Sequence, residues 1–128
     1  MKALAKRLVL SLPVLMLLGV SLPASATLRT IEEAYELTRS QVQLPASSTG
    51  GLTVRLCPTC SPVVLRVTEA TQWFSAPREQ PPAGQAAVLA AFAAAGNRPG
   101  VFVYVYYEPQ TLRVNRIVLD VPGGVVPQ

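Results

Sequence analysis

The chain predicts an α+β fold: a small antiparallel, curved sheet or barrel of five or six strands with one helix packed on it. Three observations carry this. The segment LTVRLCPTCSPVVLRV, residues 52–67, alternates apolar and polar residues on both sides of a Cys-Pro-Thr-Cys turn, as a half-buried hairpin does. The run VFVYVYY, residues 101–107, is entirely β-branched or aromatic. A single stretch from Gln85 to Ala95 is Ala-rich and uncharged, and stops at Gly96-Asn97.

The N-terminus reads as a targeting device. Lys2, Lys6 and Arg7 precede the apolar stretch Leu8–Val20, and Ser21-Leu22-Pro23-Ala24-Ser25-Ala26 ends in an Ala-x-Ala cleavage pattern, so a signal peptide is expected over 1–26. The apolar stretch is about a dozen residues and contains Pro13, short of the ~20 that span a bilayer. The whole chain carries +4, but all its lysines lie in this segment. Residues 27–128 hold eight arginines against seven carboxylates, or +1. So small an excess removes the main electrostatic support for nucleic-acid binding. The rest of the chain has no second long apolar segment, so no stable membrane insertion is expected after cleavage. Residues 27–121 are expected to form a single exported domain, its part 27–51 partly irregular, and 122–128 a disordered tail.

Thr30-Ile31-Glu32-Glu33 fits a capping box, while Tyr35-Glu36-Leu37-Thr38 alternates like a strand. The expectation is a short turn of helix followed by an edge strand. Pro45–Gly51 is a loop by composition. In the hairpin, Leu52, Val54 and Leu56 share one face, as do Val63, Leu65 and Val67. Thr71–Phe74 continues as a short strand in which Trp73 and Phe74 serve as core anchors. Ala76–Gly84 is a Pro-rich connection. In the helix, Val88, Leu89 and Phe92 form a narrow apolar stripe.

In the run 101–107, Val101, Val103 and Val105 point one way, and Phe102, Tyr104 and Tyr106 the other. A strand apolar on both faces belongs inside a sheet. Glu108–Thr111 is a turn, and Leu112–Val121 returns. Its apolar residues change parity between Val114 and Ile117, which predicts a one-residue β-bulge near Asn115-Arg116.

The chain's two cysteines, Cys57 and Cys60, allow three chemistries. Their spacing is that of a thiol–disulfide redox motif, but such motifs open a helix whose N-terminus lowers the thiol pKa, and a strand comes next here. As half of a zinc knuckle the pair needs two further ligands. The chain has no histidine and no other cysteine, so only a dimer of knuckles completes the set. The third reading is a disulfide closing the turn. A β-turn holds its ends within about 7 Å, and a disulfide accepts Cα separations of about 4.4–6.8 Å. Export favours this reading.

Absence of histidine removes the commonest general base. No nucleophile elbow or Gly-rich phosphate loop is present, and Glu32, Glu33 and Glu36 read as solvated charge at a helix start. Arg55, Arg66, Arg113 and Arg116 form an anion-binding patch if their strands adjoin; otherwise they pair with carboxylates such as Glu69 and Asp120.

The order of Val63–Phe74, a helical linker, Val101–Tyr107 and Leu112–Val121 resembles that of exported bacterial domains of unknown function that fold as small OB-like β-barrels. The similarity spans about half of the chain after residue 26. It implies a fold and a binding role, and supplies no site residues. The expected function is therefore non-enzymatic, without a cofactor: a periplasmic or secreted module that is structural or binds another envelope protein. Its contact surface is expected on the uncharged helix or at an open sheet edge near Val101–Tyr107. The alternative is a thiol–disulfide redox or metal-binding protein centred on Cys57 and Cys60.

Overall fold

The computed structural model describes residues 31–123. The expected signal peptide and most of the expected tail lie outside the described residues. The strands are β1 (Glu33–Thr38), β2 (Val42–Gln43), β3 (Gly50–Val54), β4 (Val63–Val67), β5 (Gln72–Phe74), β6 (Phe102–Glu108) and β7 (Arg113–Asp120), and the helix is α1 (Gln85–Ala95). They form one sheet in the order β1-β6-β7-β4-β3-β2, with β5 also paired to β7.

The α+β class holds, with two corrections. The sheet is mixed rather than antiparallel, because β4 and β5 both run parallel to β7. There are seven strands rather than five or six, because two chain segments are each interrupted. A 3-10 turn at Arg39–Gln41 separates β1 from β2, and a turn at Thr68–Thr71 separates β4 from β5. The sheet is not closed by hydrogen bonds: β1 pairs with β6 and β2 with β3.

β6 organises the sheet. It pairs with β1 on one side and β7 on the other, so the open edge expected near Val101–Tyr107 does not exist. Its period-two pattern buries Val103, Val105 and Tyr107 and leaves Phe102, Tyr104 and Tyr106 half-buried. Across the inner face run the rows Leu37–Val103–Leu119 and Tyr35–Val105–Ile117–Trp73. Burial of each such aliphatic side chain contributes about 1.5–3 kcal/mol. The bulge falls where the parity change puts it. Tyr106 faces Arg116 and Tyr107 faces Val114, leaving Asn115 as the extra residue. Val114 and Ile117 therefore share the core.

Leu52 and Leu65 face one another at full burial in the β3–β4 hairpin. Here β3 starts at Gly50 and ends at Val54, so Leu56 lies past the strand and is 49% exposed. The Arg55 amide donates instead to the Gln41 carbonyl at 2.8 Å, and the chain leaves the sheet for its turn. Leu112 likewise falls before β7, at φ 59° in the turn that follows β6.

Of the expected helical turn at Thr30–Glu33, Thr30 lies outside the described residues, Ile31 and Glu32 are not helical, and Glu33 begins β1 opposite Tyr107. Tyr35 and Leu37 gain inner-face packing that one helical turn cannot supply. The reciprocal polar turn comes later, at Thr38, whose amide and hydroxyl both donate to Gln41 Oε1, at 2.9 and 3.1 Å.

The helix has the expected bounds. It meets the core through Val88, Ala91 and Ala95, while Leu89 and Phe92 flank the contact half-buried. Gln85 Nε2 anchors its start by donating to the carbonyls of Pro45 (3.1 Å) and Ser47 (2.7 Å). At its end Gly96, at φ 57°, donates to the Ala93 carbonyl. That i→i−3 bond leaves the Phe92 carbonyl to the Arg39 guanidinium, which also lies over the Phe92 ring, 4.2 Å from its centroid.

Candidate functional site: the outer face of the sheet

Cys57 and Cys60 sit in the loop joining β3 and β4, and Cys60 N donates to the Cys57 carbonyl at 3.1 Å, closing a β-turn. Their Cα atoms are 5.0 Å apart and the sulfurs are at disulfide distance. The element after the motif is the strand β4, not a helix. Among the described residues, no group of three or more His, Cys, Asp or Glu side chains is placed to hold a metal ion.

The four arginines do not converge. Arg66 faces Arg113 across β4 and β7, but Arg55 is not opposite Arg66, whose partner on β3 is Gly51. Arg55 turns back to the Pro58 carbonyl at 3.5 Å. Arg113 pairs with Glu108 at 3.4 Å and Arg116 with Glu32 at 3.5 Å, so the partners are not Glu69 and Asp120. The three early glutamates separate as well. Glu32 bridges Arg116 and Asn115, and Glu33 accepts from the Tyr107 hydroxyl at 2.8 Å. Among the described residues, the Glu36 carboxylate has no hydrogen-bond partner.

What the fold does assemble is a charged, aromatic cleft on the outer face. The registers place Glu36, Tyr104, Val118 and Phe74 in one row across β1, β6, β7 and β5, and Ala34, Tyr106, Arg116 and Gln72 in the next. Phe74 is buried. Beyond it, Ser75–Glu79 makes a tight loop. The Glu79 carboxylate accepts from Ser75 N at 2.6 Å and from Ser75 Oγ at 3.0 Å, while Arg78 takes φ 64°. An L-residue adopts that backbone only at a cost, and here it brings Arg78 into the wall of the cleft.

The cleft has a volume of about 320 Å³. Tyr104, Tyr106 and Val118 line it together with Arg78, Arg116 and Asp120. Arg116 is held twice, by Glu32 and by the Tyr106 ring 3.9 Å below it. Arg78 and Asp120 are different: among the described residues neither side chain has a hydrogen bond or ion pair. Burial, then the Glu36 and Asp120 carboxylates, push the Tyr104 phenol above its ordinary pKa. It stays a neutral donor.

A second cleft, of about 380 Å³, lies between the Thr68–Thr71 turn and the start of α1, and Glu69 is the only charged residue lining it among those described.

Sequence reasoning treated Tyr104 and Tyr106 only as the second apolar face of a strand, and did not single out Arg78 or Glu79. One signal was available. Residues 102, 104 and 106 and residues 116, 118 and 120 have matching parity after the bulge, so the hairpin had to stack them on one face. No protein-family model, curated protein or solved structure matches this chain.

Proposed function

We propose that this chain is an exported, non-enzymatic binding module with an OB-like barrel architecture, and that it takes its ligand in the cleft on the outer face of β6 and β7, beside the Ser75–Glu79 loop. The observation that carries the binding reading is the pair Arg78 and Asp120. Two opposite charges line one cleft beside Tyr104, and neither is paired among the described residues. Unpaired surface charges are ordinarily left to water; the arrangement that points to a ligand is their convergence, with two tyrosines, on one concave site.

The OB-like architecture has its support in the strand order. An OB-fold is a five-stranded, partly open Greek-key barrel. Counting β1 with β2 as one bent strand, and β4 with β5 as another, reduces the seven strands to five. The chain passes from one end of the sheet order to the other through only Arg39–Gln41, so the two ends lie close. The face that OB-folds use for oligonucleotides, on their second and third strands, here carries Gly51, Thr53, Val64 and Arg66. The one aromatic that β5 adds to it, Phe74, is buried and offers no ring for a base to stack on. The aromatics lie on β6 instead.

Export rests on the leader-like segment 1–26, and the disulfide-distance pair Cys57–Cys60 is compatible with it. In this reading the disulfide staples the hairpin turn and takes no part in binding.

The experiment is an amide-resolved NMR titration of the chain as recovered from cells, with a panel of saccharides, peptides and oligonucleotides. The reading expects at least one class to shift amides on the outer face of β6 and β7. Shifts confined to the Cys57–Cys60 loop or to α1, or none with any class, would overturn it.

A further inference from the structure

The chemistry of the cleft points to a ligand class, and this step rests on the binding reading above. We infer that the cleft takes a single sugar ring carrying a carboxylate, with neutral sugars as its neighbours in the chain.

Each wall contributes one part of that recognition. Arg78 presents an unpaired guanidinium, whose planar fork matches a carboxylate with two parallel hydrogen bonds. Asp120 lines the cleft with an acceptor-only carboxylate that has no side-chain hydrogen bond among the described residues, and Glu36, outside the lining, is the register partner of Tyr104 on the same face. Acceptors of that kind want hydroxyl donors, which a sugar supplies along its rim. Tyr104 offers its half-buried ring to the apolar C–H face of a pyranose, with Tyr106 beside it under the Arg116 guanidinium. Their phenol groups add polar contacts at the edge. The volume, about 320 Å³, is at the small end of the ~300–1,000 Å³ of ligand sites, which suits a ring or two of a longer chain lying across an open face.

Charge excludes the nearest competitors. A phosphodiester backbone brings a negative charge at every unit, and here Glu32, Glu36 and Asp120 flank the aromatics. Glu32 already neutralises Arg116, so among the described residues lining the cleft one free cation remains. That is enough for a single carboxylate and too few for a polyanion that binds by counterion release. A neutral sugar leaves Arg78 unanswered. A purely basic peptide would answer Asp120 but leave Arg78 facing like charge.

The test uses the chain as recovered from cells and four probes: a neutral oligosaccharide carrying one galacturonate ring, its methyl ester, an oligothymidylate and a mixed-charge peptide. The singly charged galacturonate oligosaccharide should shift the amides of Tyr104, Tyr106, Val118 and Asp120 at millimolar concentration or below. The ester, identical except for its charge, should bind about tenfold more weakly, as losing a charge-assisted hydrogen bond implies. Arg78→Gln should erase that difference. Asp120→Asn should weaken both forms alike. Neither side chain is bonded among the described residues, so both variants should keep the wild-type melting temperature.

Equal affinity for acid and ester, or a difference that survives Arg78→Gln, overturns the inference. If the peptide or the oligothymidylate shifts these amides and the galacturonate does not, the inference fails while the binding face stands. If no probe moves them, both fail.

Discussion

The Thr71 hydroxyl donates to the Val114 carbonyl at 2.8 Å and accepts from the Thr68 amide at 3.0 Å. It does so where β4 has ended and β5 has not begun, so a side chain spans a break in the pairing with β7. Thr71 is the only buried polar residue among those described. An unsatisfied buried carbonyl is expensive, so the break in the strand depends on this hydroxyl.

Replacing Thr71 by the isosteric valine strands both backbone groups at once and should cost about 1–3 kcal/mol. Thr71→Ser should retain most of the wild-type stability. Urea unfolding of the two variants separates the hydroxyl from the methyl group; equal losses would show that packing, not the hydrogen bond, closes the break.

Tyr107 stacks on Tyr35, with ring centroids 5.0 Å apart and planes within 4°, and its hydroxyl donates to Glu33. Burial, the hydrogen bonds to Tyr35 and Glu33 and their charge raise its pKa. The direction of that shift fixes the pH dependence of stability. Below the unfolded value of about 10, both states keep the proton and the stabilisation is complete. Above it the unfolded chain ionises first, so stability falls as pH rises toward the folded pKa. Tyr107→Phe should cost about 0.5–1.5 kcal/mol at neutral pH and flatten the alkaline decline. Denaturation midpoints measured from pH 8 upward would show both effects.

Arg39 joins the 3-10 turn to the far end of α1. It answers the Phe92 carbonyl that the helix leaves open and puts a cation near a helix C-terminus, where the dipole favours it. Arg39→Met keeps the length of the side chain and removes its charge. Loss of the charge-assisted bond and of the cation–π contact should cost about 1–3 kcal/mol. Hydrogen exchange should rise first in residues 92–96. Uniform loosening of the whole chain would contradict this local role.

The cysteine pair closes a ring of only four residues, with a sequence separation of 3. The chain-entropy relation gives about 2 kcal/mol for so short a loop. Cys57→Ser with Cys60→Ser should lower the melting temperature by about 10 °C and leave the outer-face cleft intact. Abolished ligand binding in the double variant would return the motif to the centre of the function.

Much of this arrangement was legible before folding. Period two marked β3, β4 and β6, absence of charge with a Gly-Asn stop marked α1, and the parity change between Val114 and Ile117 located the bulge at Asn115. These are local signals, because a strand or helix must turn its apolar positions to one side wherever it packs. Pairing is not local. That β4 and β5 run parallel to β7, that β6 has no free edge and that Arg66 meets Arg113 while Arg55 does not are decided by which strand lies beside which. The Cys-Pro-Thr-Cys turn drew the eye through its spacing alone. Arg78 had no spacing to mark it, since the Ser75–Glu79 hydrogen bonds and the hairpin register bring it beside Tyr104 from 26 residues away. The sequence by itself determined the elements and their apolar faces, through backbone periodicity and side-chain chemistry. The tertiary structure decided the site, because only packing sets residues distant in the chain around one cleft.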